Sequence, residues 1–420
     1  STPKLKTSAT GITVDGEVAA SQDYPDSRPT LDLNFAAQKK LDPRITYSRS
    51  GTASFVNEFG KVVFVGDNAP RFDHDPDTGE CKGLLIEESR TNIAPYTNDM
   101  SQYSGSNITK TANNAVAPDG TTTATKLEHG GSGTSYLDYI DNNINAQNAG
   151  PYTYSVWLKA PDDQPDGYYG CRIAVLHSTG GNVEPTVSLN KTWTRYSVTK
   201  TFGASDGGKL RVHPVMFRAA PGSTYDGKVI PSYVWAWGAQ VEAGAFPTSY
   251  ITDSGATRGQ DLVEITGEEF SEFYNRTEGS FVSEIMIKPS FPVSGYATVM
   301  MSLSDSSYDN RVTLSSSTGS AAFNADVTIG GTNNRAVIGS YTSGSHSIKA
   351  AMAYKQADSA GSLNGAAAVT TSPSPGNLPL LTRADIGKDH GNFNPLNGHI
   401  KRIMYYSKRL SNNQLRTLTS

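Results

Sequence analysis

A chain of 420 residues with 36 Lys+Arg against 40 Asp+Glu, a net charge of −4 and a pI near 6.0 argues against a nucleic-acid partner, because phosphate binding wants Lys and Arg clustered on one face. A mean hydropathy of −0.43, with no window near the roughly 20 apolar residues that cross a bilayer, argues against membrane insertion. The 40 Gly and 22 Pro, with little helical periodicity, favour short strands joined by turns, so the expected fold is all-β and the length suits two or three domains.

Residues 1–28 contain LKTSATGITVDGEV, where Leu5, a break at Gly11, then Ile12 and Val14 make two very short strands. An isolated hairpin is marginal in water, so this piece needs neighbours. It resembles the repeats of bacteriophage fibre shafts, in which three chains supply one another's missing contacts. That resemblance implies a homotrimer, joined to other virion proteins through this segment. The opening STPKLKTSATG has no apolar run of the kind a secretion signal carries, and Ser1 fits either removal of an initiating Met or a cut chain.

Residues 29–96 are the most distinctive stretch. Leu31, Leu33 and Phe35 alternate with Asp32 and Asn34, the period of a half-buried strand. Asn57 to Gly60 separate TASFV from KVVFV, which predicts a hairpin. Asp75-Pro76-Asp77-Thr78-Gly79 is turn chemistry. Asp73, Asp75 and Asp77 imitate the start of a calcium loop, but the glycine falls one place late and Leu84 stands where a bidentate Glu is needed, so a plain turn is expected. The runs PRITYSRSGTASFVNEFG, APRFDHDPDTGE and GLLIEESRTN resemble, in order and spacing, a β-rich module of phage virion proteins, fibres above all. The block then reads as a collar between shaft and binding head.

Residues 97–256 carry strand-like runs bounded by Gly, Pro, Asp or Ser, among them PYTYSVWLKA, TWTRYSVTKTF, KLRVHPVMFRA and SYVWAWGAQVEAG, which imply an antiparallel sandwich. APDGTTTATKLE, YTYSVWLKA, TWTRYSVT and WGAQVEAGAFPTSYI resemble the jelly-roll of carbohydrate-binding modules. Trp235 and Trp237, two apart, share a strand face, and with Trp157 and Trp193 they read as core. Tyr168 and Tyr169 fall instead in the loop DDQPDGYYG.

Residues 257–280 have the one helix-like run, GEEFSEFYN, and read as a connector. Residues 281–420 return to strands, and the ending LNGHIKRIMYYSKRLSNNQLRTLTS resembles the close of concanavalin or laminin-G-like sandwiches. Ser411 and Gln414 have capping-box spacing, predicting a short terminal helix. KRIMYYSKR places its charges on both faces of a strand and reads as a solvated edge.

Catalytic patterns are missing. Glucanases of the concanavalin-like fold usually carry their acids in an E-x-D-x-x-E spacing, and residues 281–420 depart from it, with Glu284 the one acid in FVSEIMIKP. The seven His have no HxxH or HExxH spacing, and no G-x-S-x-G elbow occurs. Cys81 and Cys171 suggest neither a disulfide framework nor zinc and fit assembly in a reducing cytoplasm. No metal, cofactor or catalytic residue is expected.

The resemblances imply a non-enzymatic virion component, a tail fibre that recognises host-surface polysaccharide and is assembled in the host cytoplasm. A tailspike-like depolymerase and a capsid fibre or decoration protein are the alternatives. The candidate sugar contacts are Tyr168 and Tyr169, Tyr308 with Asn310 in SDSSYDN, and Asn333, Asn334 and Arg335. These are planar or amide-bearing side chains in predicted loops, able to stack on a sugar or donate to its hydroxyls, although a solvated surface is the plainer reading of each.

Overall fold

The computed structural model describes the strand pair 5–8 and 11–14 and residues 28–141, 149–177, 181–203, 210–287, 297–317, 322–340, 347–372 and 378–420. It is almost entirely antiparallel β-structure, organised as two sandwiches. Among the described residues, no helix is long and apolar enough to cross a membrane. Leu5–Ser8 pairs with Gly11–Val14, and the remainder of the shaft-like reading of 1–28 lies outside the described residues.

The smaller sandwich lies within residues 97–256. One five-stranded sheet runs in the order 104–106, 135–141, 210–217, 170–177, 186–188; the other runs 108–115, 124–129, 233–243, 150–159, 194–202. Leu127, Tyr154, Val156, Leu158, Ile173, Val175, Val212 and Val234 fill the space between them. Alternation explains why: Val156 and Leu158 face inward while Trp157 and Lys159 face out.

The larger sandwich corrects two predicted boundaries. Its seven-stranded sheet runs 332–340, 322–329, 311–316, 299–304, 383–386, 262–266, 46–48, and its other sheet runs 369–371, 358–363, 347–355, 278–287, 398–406, 81–86, 72–74. Residues 29–96 are therefore not a separate collar, and 257–280 is not merely a connector, because both contribute strands to these sheets. Glu278–Ile287 covers one edge of Gly398–Tyr406; the other edge is shared between Leu31–Asn34 and Cys81–Ile86. Gly83, at φ +97°, lets those backbones meet: a Cβ there would stand 2.1 Å from the Ile400 carbonyl oxygen.

The smaller sandwich is thus an insertion in the larger one. Arg90–Thr91 pairs with Thr257–Arg258 in a two-stranded neck, where the chain leaves the larger sandwich and returns to it. KRIMYYSKR is not an edge either. Its strand is central, and three of its four charges are engaged: Lys401 with Glu80, Arg402 with Asp32, Arg409 with Asp358.

Local chemistry behaves as its residues dictate. Ala53–Val56 and Val62–Val65 form the expected hairpin, with Asn57 Oδ1 accepting from the Phe59 and Lys61 amides. Asp75 Oδ1 accepts from the Asp77 and Thr78 amides, closing the acidic turn on itself. Asn412–Thr419 is helical, and both capping-box bonds of Ser411 and Gln414 are present.

Candidate functional site

The sequence runs that mark 29–96 converge beneath the neck. Arg71, from APRF, donates to Glu87 Oε2 at 3.0 Å and to Asp261 Oδ2 at 2.6 Å. Asp261 also accepts from Tyr47 at 2.5 Å and the Glu87 amide at 2.8 Å. Glu87 reaches across to the inserted sandwich, accepting from the Ser249 amide at 2.9 Å and the Ser249 hydroxyl at 2.6 Å. Burial disfavours the Arg71 cation, but Asp261 and Glu87 more than offset this, so its pKa lies above the ordinary value. This buried network ties the two sandwiches together.

Above it opens a cleft of about 610 Å³ between them. Its aromatic wall belongs to the insertion. Trp237 and Tyr250 are buried and pack with Val62, Ala117 and Ala124, while Trp157 and Trp193 are half-buried against them. Trp157 meets Trp237 and Tyr250 edge-on, at 5.3 and 5.4 Å, and carries the Arg195 guanidinium over its ring at 4.4 Å. Gly238, at φ +70°, makes room for it: a Cβ would stand 2.7 Å from the Trp157 ring. Trp193 is held by its edge, its Nε1 donating to the Val116 carbonyl at 2.9 Å. It packs against the Val62, Ala117 and Trp237 cluster and stays half-buried at the cleft.

The opposite wall comes from the larger sandwich. His399 and Asp73 approach to 2.8 Å, and Asp73 also accepts from the Val56 amide at 2.6 Å. Burial pushes the Asp73 carboxyl up, but the hydrogen bond and charge of His399 and the Val56 amide outweigh it, leaving it below the ordinary value. Asp77, Asn190, Thr192 and Thr194 complete the polar lining. An aromatic face with amide and hydroxyl groups beside it and imidazole and carboxylate groups opposite suits a ring that is apolar on its faces and rich in hydroxyls at its rim.

None of the seven sequence-derived sugar contacts lines this cleft. Tyr168 is exposed and meets Tyr169 edge-on at 5.1 Å; Tyr169 is half-buried, its hydroxyl donating to Asp163 at 3.2 Å. Tyr308 is exposed against His390 at 4.1 Å, and burial followed by the Asp389 charge raises its pKa. Asn310 spends its amide on Asp305 and on the Gly330 amide. Asn333, Asn334 and Arg335 do not sit in a loop: they belong to the strand Thr332–Ser340, where Arg335 grips Asp326 with two bonds of 2.9 and 3.1 Å. Arg335 lies on the seven-stranded sheet of the larger sandwich and Tyr308 in a turn joining two of its strands, whereas Tyr168 and Tyr169 belong to the smaller sandwich.

Of the four tryptophans Trp237 alone is fully buried; Trp157 and Trp235 are half-buried on the outer face of their sheet, and Trp193 is half-buried just before strand 194–202. Pairing of His399 with Asp73, 326 residues apart, had no local signal. Among the described residues, no group of three or more His, Cys, Asp or Glu is placed to hold a metal ion.

No protein-family model and no curated protein matches the chain. Solved structures similar to it include Ruminococcus gnavus IT-sialidase CBM40 bound to alpha2,3 sialyllactose, at 13% identity over 35% of this chain and 84% of that one, TM-score 0.29. The CBM22-1-CBM22-2 tandem domain from Paenibacillus barcinonensis Xyn10C is 7% identical over 76% and 98%, TM-score 0.27. Mouse laminin alpha1 chain domains LG4-5 are 11% identical over 77% and 94%, TM-score 0.25. At these scores they carry no functional argument.

Proposed function

We propose that the chain is a non-catalytic glycan-binding protein and that its ligand lies in the cleft between the sandwiches. One observation carries this reading: Trp193, anchored by its indole N–H and only half-buried, stands in a cleft whose facing wall offers His399, Asp73 and Asp77. Stacking satisfies the apolar face of a pyranose while the polar wall takes its hydroxyls.

The finer reading rests on the virion-like wording of residues 29–96. In that reading the protein is a phage tail-fibre component, a homotrimer attached to other virion proteins through residues 1–28, and the ligand is a host-surface polysaccharide. Binding to purified host polysaccharide, lost on Trp193→Ala, tests the glycan reading. A native mass near three times 44.8 kDa tests the trimer.

A depolymerase is the second reading, favoured by the Asp73 and His399 pair and Asp77 in the same cleft. New reducing ends after incubation with host polysaccharide would overturn the non-catalytic reading.

A further inference from the structure

The outer face of the seven-stranded sheet is unusually polar. Ser302, Thr313, Ser315 and Asp326 alternate with core residues Leu303, Val312, Leu314 and Val327, and they are almost wholly shielded. Above them lies a cavity of about 340 Å³ lined by Arg311, Thr313, Ser315, Asp326, Asp389 and Asn394 among others. That is the lower end of the about 300–1,000 Å³ typical of small-molecule sites, and it suits a single sugar ring.

Its charges are not equally available. Asp326 is neutralised by the two-bonded Arg335. Asp389 is buried and turned into its own loop, one oxygen accepting from the Phe393 amide at 2.8 Å and the other from Asn394 Nδ2 at 2.9 Å. Arg311 differs. Its Nε is buried without a partner, and its recorded side-chain neighbour among the described residues is the Tyr308 ring, at 5.1 Å. In Arg71, Arg90, Arg195 and Arg258 a similarly unpartnered Nε is offset by an Nη bonded to a carboxylate or carbonyl. Arg311 has no such bond.

We infer that this cavity is a second saccharide site and that it takes a sugar bearing a carboxylate. The inference rests on the glycan-binding reading for the ring and on Arg311 for the acid. A guanidinium edge offers two parallel N–H groups, Nε and one Nη, which match the two oxygens of a carboxylate. Bound in this way, the acid gives the buried Nε its acceptor. Thr313, Ser315 and Asn394 line the same cavity and would exchange part of their present bonding to Ser302, Asp326 and Asp389 for the ring hydroxyls, while the Arg311 guanidinium stays over the Tyr308 ring.

Saturation-transfer NMR on the full chain, with D-glucuronate, D-glucose and glucose 6-sulfate as separate probes, tests this. D-glucuronate is expected to bind about tenfold tighter than glucose, and Arg311→Gln to remove that difference. Arg311→Lys, which keeps the charge but loses the fork, is expected to restore only part of it. Unfolding midpoints equal to that of the parent show that the variants fold. Trp193→Ala is expected to leave glucuronate binding unchanged while weakening neutral oligosaccharides, so failure of the cleft reading and failure of this one are distinguishable. Equal affinity for glucuronate and glucose, an unaltered Arg311→Gln, or loss of glucuronate with Trp193→Ala overturns the proposal. Tighter binding of the sulfate ester than of glucuronate overturns the carboxylate assignment.

Discussion

Arg71 and Asp261 stand 190 residues apart in sequence and 2.6 Å apart in space, with neither side chain exposed. A buried ion pair that loses one partner leaves an uncompensated charge and costs about 3–5 kcal/mol. Arg71→Met and Asp261→Asn are each expected to lower the unfolding free energy by that order, read from urea melts. Glu87 couples this pair to Ser249, so loosening between the sandwiches should accompany the loss and appear as faster hydrogen exchange at Ser249. A change below about 1 kcal/mol in both variants would show that the network does not hold the seam.

Trp193 and Trp237 are expected to separate binding from stability. Trp193 is half-buried at the cleft wall, so Trp193→Ala should weaken polysaccharide binding at least about tenfold while costing clearly less stability than Trp237→Ala. Trp237 is fully buried, and Trp237→Ala should cost about 3–5 kcal/mol in a denaturant melt. Unaltered binding by Trp193→Ala would remove the cleft from consideration.

The insertion topology makes a deletion test direct. Thr91 and Thr257 are partners in the neck, so removing the residues between them and bridging with a short glycine turn should leave a sandwich that still unfolds cooperatively. The isolated fragment 281–420 should not fold. It would expose the edge of strand 398–406 that Leu31–Asn34 and Cys81–Ile86 cover, and it lacks Leu31, Leu33, Phe35, Leu84 and Ile86 from the core. A sharp thermal transition for that fragment would contradict the shared core.

The Asp73 carboxyl gives the larger sandwich an acid sensitivity. Its folded pKa lies below the ordinary 3.8, so its contribution is fully present above that value and disappears as pH falls through the lower, folded one. The stability gap between the parent and Asp73→Asn should therefore be full above 3.8 and shrink as pH falls below it. Denaturant melts across that range measure it, and a gap independent of pH would contradict the pairing with His399.

Cys171 is buried in the smaller sandwich, and burial pushes its thiol up to about 12. Alkylation by iodoacetamide at about pH 8 should spare it in the native protein and label it after unfolding in guanidinium. Rapid native labelling would mean that this sandwich opens readily.

Much of the secondary structure was legible because its causes are local. The Asn57 to Gly60 hairpin, the Asp75 turn and the Ser411 and Gln414 cap each depend on residues within a few positions. The candidate site was less legible, for a physical reason. Loop chemistry marked Tyr168 and Tyr308 as exposed, and they are, but exposure does not assemble a cleft. Trp193 and Trp237 look equivalent in sequence, and only the packing of Val62, Ala117 and Tyr250 makes one buried and leaves the other at a surface.

By itself the sequence determined the strand period, the turns, the all-β class and the terminal cap, since alternation and capping are set by near neighbours. Tertiary structure alone decided that residues 29–96 complete the far sandwich, that strand 398–406 is central, and that His399 meets Asp73. Pairing between strands more than 300 residues apart leaves no trace in local periodicity. It is fixed by which edges and apolar faces remain to be covered when the two sheets close.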